Sequence, residues 1–287
     1  REIISASRAL ETDRPVVYLG ASGSLAHQAT RERFGDSALV ASCADAEAVF
    51  DRLDAGDAEY AVLTLESSSQ EAHLDRLDLF LHSDAKIFGE FHVVPRLAVY
   101  APAAVEDPVE LFATPTVLGV CSRWVERSGA KRRFHAVGSL EEAVDRATRE
   151  GGGVLGYPLL RQRRELVERE PGIENEPRLP RRFLILGKKD GTPTGRDKTS
   201  LLVVIPNRPG GLHAVSGVLA TDRVNLCWIE PKGTPIGTWD HIFFLDLEGH
   251  REDPPVARAI ERLRGHTEWL KVLGSYPRER LPGRSWG

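Results

Sequence analysis

The sequence predicts an α/β chain of two modules, a longer N-terminal one followed by a small βαββαβ unit. Three observations lead there. Strand-like apolar runs alternate with helical spacing through residues 199–278. Gly, Pro and Thr replace any periodic pattern at residues 188–195, which marks a linker. A chain of 287 residues with 41% hydrophobic content is long for one core and ordinary for two.

In the first module, Pro15–Gly20 reads as a short buried strand, and Ala21-Ser22-Gly23-Ser24 turns it into a helix beginning near Leu25. Unpaired N–H groups and two hydroxyls at a helix start suit an anion such as a carboxylate, because the helix dipole and the free donors face it together. The same turn also serves as a plain tight connection. It is not a nucleophile elbow, since Ser24 stands where Gly-x-Ser-x-Gly needs its second glycine. Ser139 with Glu142 forms a Ser-x-x-Glu capping box that starts a helix. Gly151–Gly156 suggests a mobile or close-packed turn without the spacing of a phosphate loop, and Arg161–Arg164 reads as a solvated helix face.

In the second module, the strand Thr199–Ile205 ends in the turn Pro206–Gly211, and Leu212, Val215 and Leu219 follow at helical spacing. Strand runs at Val224–Glu230 and Trp239–Leu247 come next. A helix marked by Val256, Ile260 and Leu263 and a last strand, Trp269–Leu273, complete a ferredoxin-like order.

Composition excludes several classes. The net charge is −4 with acids and bases interspersed, which argues against nucleic acid as a partner. No apolar run approaches the roughly 20 residues of a membrane helix, and Arg1-Glu2-Ile3-Ile4 does not read as a secretion signal, so a cytoplasmic protein is expected. Cys43, Cys121 and Cys227 lie far apart and read as buried, reduced thiols. The nine histidines form no His-x-x-x-His pair, so neither a metal nor a cofactor is expected. Arg96, Arg123 and His135 read as surface residues rather than ligands.

Particular strings carry a resemblance. Gly195–Leu202, Pro209–Leu212, Val224–Leu226, Ile229-Glu230, Phe243–His250 and Leu273–Pro277 resemble the ACT domain at the end of prephenate dehydratases. Tyr18–Ala29 with Phe34-Gly35 is similar to the opening of that family's catalytic domain, Ala21 and Ser22 replacing a Pro-Glu pair. Tyr60–Ser69 occupies the place of a Val-Pro-Ile-Glu-Asn-Ser motif, keeping Glu66 and Ser68 and carrying Ser67 for the asparagine. Leu179–Leu186 sits where the family has Thr-Arg-Phe: Arg182 and Phe183 match, and Arg181 replaces the threonine.

The resemblance implies a two-lobed catalytic domain like type II periplasmic binding proteins over residues 1–188, lobe 1 being about 14–94 with 178–188 and lobe 2 about 95–177. A linker at 189–198, an ACT module at 199–278 and a tail at 279–287 would follow. It implies catalysis by Arg182, Arg181, Ser22 and Ser24, with Gly23, Glu66, Ser67, Ser68, Ser139 and Phe183 binding prephenate and Arg182 gripping a carboxylate. An aromatic amino-acid effector would sit at Gly210, Gly211, Leu212, Asn225, Leu226 and Glu230 across a homodimer or homotetramer interface, although the family's Glu-Ser-Arg-Pro segment has become Glu230-Pro231-Lys232-Gly233.

The missing threonine shapes the expected reaction, because in the family it is the presumed proton donor to the departing ring hydroxyl. A guanidinium, with a pKa above about 12, is no general acid near neutral pH. Without such an acid, decarboxylation of prephenate can end in protonation at a ring carbon, leaving a dihydro-4-hydroxyphenylpyruvate. A non-aromatising prephenate decarboxylase is therefore the main expectation. The alternatives are a prephenate dehydratase that uses Ser22, Ser24, Ser68 or Ser139 as the acid, and a non-catalytic amino-acid sensor.

Overall fold

A computed structural model describes residues 14–64, 78–175, 180–232 and 242–279. Its three sheets are each covered by helices, and together they give the two-lobed α/β unit and the antiparallel C-terminal module that the sequence predicts.

Lobe 1 is built from β1 (Val16–Leu19), α1 (Leu25–Phe34), β2 (Val40–Cys43), α2 (Ala46–Ala55), β3 (Tyr60–Leu63), the single turn α3 (Leu79–His82) and β4 (Lys86–Val93). Lobe 2 follows with β5 (Ala98–Pro102), β6 (Glu110–Ala113), α4 (Pro115–Val120), α5 (Ser122–Ser128), β7 (Arg133–Ala136), α6 (Leu140–Glu150), β8 (Gly153–Gly156), a 3-10 turn (Pro158–Gln162) and β9 (Leu166–Pro171). The chain then returns through β10 (Arg181–Gly187) into the first sheet.

The strand orders are β2-β1-β3-β10-β4 and β7-β6-β8-β5-β9. In each sheet four strands run in one direction and the fifth, β10 in the first and β5 in the second, is antiparallel to both its neighbours. The interior parallel strand β1, Val16–Leu19, is a continuous apolar run buried throughout, whereas the edge strands β2 and β7 are largely accessible.

The C-terminal module runs β11 (Asp197–Val204), α7 (Gly211–Thr221), β12 (Leu226–Lys232), β13 (Ile242–Glu248), α8 (Pro254–Leu263) and β14 (Trp269–Pro277), with strand order β12-β13-β11-β14. β11 starts at Asp197, inside the expected linker, because its carboxylate accepts hydrogen bonds from Thr194 N and Oγ1 and Gly195 N and so fixes the approach to the strand. Part of the expected strand Trp239–Leu247 lies outside the described residues. The basic run at Arg161 lies on the 3-10 turn rather than on a helix face. Cys43 and Cys121 are buried thiols as expected, but Cys227 is only half-buried, on the sheet edge.

Two cores cross unit boundaries. One joins Val17, Leu19, Ile87, Leu184 and Leu186 of lobe 1 to Leu202, Phe244, Leu273 and Tyr276 of the C-terminal module. Gly274 permits this contact, since a Cβ there would collide with the backbone of Ile87. The other joins Tyr18, Phe91, Phe183 and Ile185 to Val99, Leu111, Val117, Leu155 and Tyr157 of lobe 2. Strand alternation sorts β10 between them: Phe183 and Ile185 face lobe 2, whereas Leu184 and Leu186 face the C-terminal module. No helix among the described residues is long and apolar enough to cross a membrane.

Candidate active site

Between the lobes lies a cleft of about 560 Å³. Its lobe 1 side is the turn Gly20–Ser24 with Ser42, Thr64 and Phe183, and its lobe 2 side carries Ala113–Val117, Gly138, Leu140 and Leu155–Tyr157. None of these residues is charged. Polarity comes instead from the hydroxyls of Ser22, Ser24, Ser42, Thr64, Thr114, Thr116 and Tyr157, and from the starts of α1 and α6, where Ser24 and Leu140 meet the cleft. The start of α1, which has no acidic residue in its first turn, presents a positive dipole end to the cleft and suits an anion, with no lysine or arginine among the described lining residues.

The turn is held from several sides. Ser24 caps α1, its Oγ accepting from His27 N at 3.3 Å. Gly23 N donates to His27 Nδ1 at 3.1 Å, and Ser22 Oγ donates across the lobes to Glu141 at 3.2 Å. Gly23 has φ 80°, and a Cβ there would lie 2.5 Å from Cδ2 of Leu140. Here the lobes touch through a position that only glycine fills.

His27 was not singled out in the sequence, yet its ring stacks on Tyr18 at 4.8 Å and fixes Gly23. Burial, aided by the charge of Arg31, lowers its pKa to about 4, so near neutral pH the ring is uncharged with its proton on Nε2. The unfolded chain takes up that proton near pH 6.5 and the folded chain only near 4, so this group costs stability as pH falls through that window. Urea titrations are expected to show less acid loss for His27→Asn than for the parent between pH 6.5 and 4.

Ser22, Gly23, Ser24 and Phe183 of the predicted set line this cleft. Glu66, Ser67 and Ser68 lie outside the described residues. Ser139 does not line it and serves as the cap of α6, accepting from Glu142 N at 3.1 Å. Arg181 is half-buried at the start of β10 and is not among the lining residues.

Arg182 requires a correction: it does not reach the cleft to hold a carboxylate. Alternation along β10 turns it to the opposite face, where its Nε donates to Glu90 at 2.8 Å and its Nη2 meets Asp246 at 2.7 Å and Tyr276 Oη at 3.0 Å. Lys198 Nζ adds a bond to Glu90 at 2.9 Å, and Ser200 Oγ donates to Asp246 at 2.6 Å. The two carboxylates are fully buried and Arg182 is 6% exposed. Burial alone would raise the Glu90 carboxyl, but the charges of Arg182 and Lys198 overcome it and hold the group below the ordinary range. Burial likewise pushes the Tyr276 phenol well up. Arg182 thus joins lobe 1 to the C-terminal module, with Trp228 and Phe244 near its guanidinium.

Gly210 turns the chain with φ 83° into α7, which begins at Gly211 and leaves Leu212 exposed; Leu226 and Glu230 lie on the edge strand β12. Asn225 donates to Glu248 at 3.0 Å. All six predicted effector residues lie in the C-terminal module and none lines the cleft. His135 is tied to Glu110 at 2.6 Å, while Arg96 lines a separate cavity of about 380 Å³ with His92, Gln28 and Glu32.

Residues 16–191 match the family model described as prephenate dehydratase. The chain is 34% identical over 283 residues to a bifunctional chorismate mutase/prephenate dehydratase of Aquifex aeolicus (strain VF5), covering 98% of this chain and 78% of the relative. A prephenate dehydratase of Mycobacterium sp. (strain JLS) is 29% identical, with 91% and 88% of the two chains covered. Among solved structures, prephenate dehydratase of Arthrobacter aurescens in complex with L-Phe superposes with TM-score 0.78 at 23% identity, over 92% of this chain and 90% of that one. A structure described as a novel type of quorum quenching acylase, GqqA, reaches TM-score 0.79 at 22% identity over 93% and 98%, a likeness of fold alone. The matched residues 16–191 take in both lobes and the cleft between them, and this chain belongs to the prephenate dehydratase family.

Proposed function

We propose that this chain converts prephenate to phenylpyruvate, with loss of CO₂ and water, in the cleft between its lobes. The observation that carries the reading is an interlobe cleft rich in hydroxyls and facing the N-terminal end of α1, in a chain 34% identical over nearly its whole length to a bifunctional enzyme with prephenate dehydratase in its name. A dianion with a hydroxylated ring is complementary to such a lining. The N-terminal end of α1 would hold a carboxylate, Phe183 and Leu155 would pack on the ring, and a hydroxyl would meet the departing oxygen. The expected assay result is accumulation of phenylpyruvate, read by its absorbance in alkali, from prephenate and the purified chain. A product lighter by CO₂ alone would overturn it.

That second outcome is the non-aromatising decarboxylation, and one observation favours it: position 181, where the resemblance leads one to expect a threonine, is Arg181. The relatives favour dehydration. We further propose that the C-terminal module takes an aromatic amino acid, a reading supported by the Arthrobacter fold neighbour being a complex with L-Phe, and that two copies pair through it. Leu212, Trp228 and Ile229 stand exposed there, 44%, 39% and 38%, the last two on edge strand β12.

A further inference from the structure

Arg181, at the start of β10, carries no hydroxyl and is not among the residues that line the cleft, so the dehydratase reading draws its proton donor from the cleft hydroxyls. β10 pairs antiparallel with β3 in the register Leu184 to Leu63. Continuing it by one residue sets Thr64 opposite Phe183, and both line the cleft. Position 181 is two residues from Phe183 on the same face. Thr64 is therefore a diagonal cross-strand neighbour of that position, a separation of roughly 7–8 Å that a bound ring can span.

Among the described residues, the other cleft hydroxyls stand elsewhere: Ser22 and Ser24 on the turn after β1, Ser42 on β2, and Thr114, Thr116 and Tyr157 on the lobe 2 wall. Of these described hydroxyls, Thr64 stands at the end of a lobe 1 strand beside β10.

We propose that Thr64 is the catalytic proton donor to the departing ring hydroxyl; the inference rests on the dehydratase reading above. The bond from the ring to its carboxylate breaks, releasing CO₂, and its electron pair completes the aromatic ring. The bond from the ring to the hydroxyl oxygen breaks in turn, and the Thr64 proton goes to that oxygen, which leaves as water. A solvent water then returns a proton to the Thr64 oxygen, leaving hydroxide. The dianionic substrate has become phenylpyruvate monoanion, CO₂ and hydroxide, so atoms and charge balance.

The test uses the full chain with prephenate under single-turnover conditions, following phenylpyruvate and CO₂ together, and calorimetry for binding. Thr64→Val is expected to lose 10²–10⁴-fold in phenylpyruvate formation, with prephenate affinity changed less than threefold. Thr64→Ser should recover to within tenfold of the parent, which separates a lost proton donor from a damaged fold. Thr221→Val, on α7 away from the cleft, should stay within twofold. A Thr64→Val variant that makes phenylpyruvate within threefold of the parent overturns the assignment and leaves the dehydratase reading intact. A parent chain that releases CO₂ without phenylpyruvate overturns both.

Discussion

Arg182→Met is expected to destabilise the protein by about 3–5 kcal/mol, because it strips the positive partner from two carboxylates that remain fully buried. Lys198 still reaches Glu90 at 2.9 Å, but it lies 3.7 Å from Asp246, too far for a good hydrogen bond. The loss should also depend on pH. In the parent, Glu90 is held below its ordinary pKa, so its contribution is complete above about 4.3, the unfolded value, and fades as pH falls through the lower folded value. In the variant, burial is opposed by less positive charge and the folded carboxyl moves up, so protonation relieves the buried charge. Urea unfolding should show the gap between parent and variant narrowing as pH falls below about 4. A gap constant from pH 7 to 3 would show that the network carries no net charge coupling.

Gly23→Val is expected to reduce kcat/KM by roughly 10²-fold, because a shift of about 1 Å at a positioning element costs that much. The added Cβ would lie 2.5 and 2.8 Å from Leu140 side-chain atoms, at a φ of 80° that a β-branched residue resists. The lobes must part or the turn must move, and either displaces Ser22 and Ser24 from the opposite wall. Stability should fall far less than activity, since the contact is local. Steady-state kinetics beside thermal unfolding would separate the two, and unchanged kcat/KM would show that the turn is not part of the site.

Much of this was legible in the chain because period and turn chemistry act locally. The βαββαβ order of the C-terminal module followed from Leu212, Val215 and Leu219 at helical spacing and from apolar runs of strand length. The turn Ser22-Gly23-Ser24, which lines the cleft, stood out because a glycine-rich strand-to-helix turn has a physical use wherever it occurs. What failed was direction. Matching Arg182 to a motif fixes its place along β10, but alternation then decides whether it meets substrate or the neighbouring module, and that depends on which sheet face each unit covers. Thr64 and His27 escaped notice for a related reason: each matters through a partner distant in sequence or through a ring stack that no spacing rule encodes.

The most direct test of the central claim is the ratio of phenylpyruvate formed to CO₂ released when the purified chain consumes prephenate near neutral pH. A hydroxyl-lined interlobe cleft that completes dehydration predicts one phenylpyruvate for each CO₂. CO₂ released with the ring hydroxyl retained in the product would contradict it.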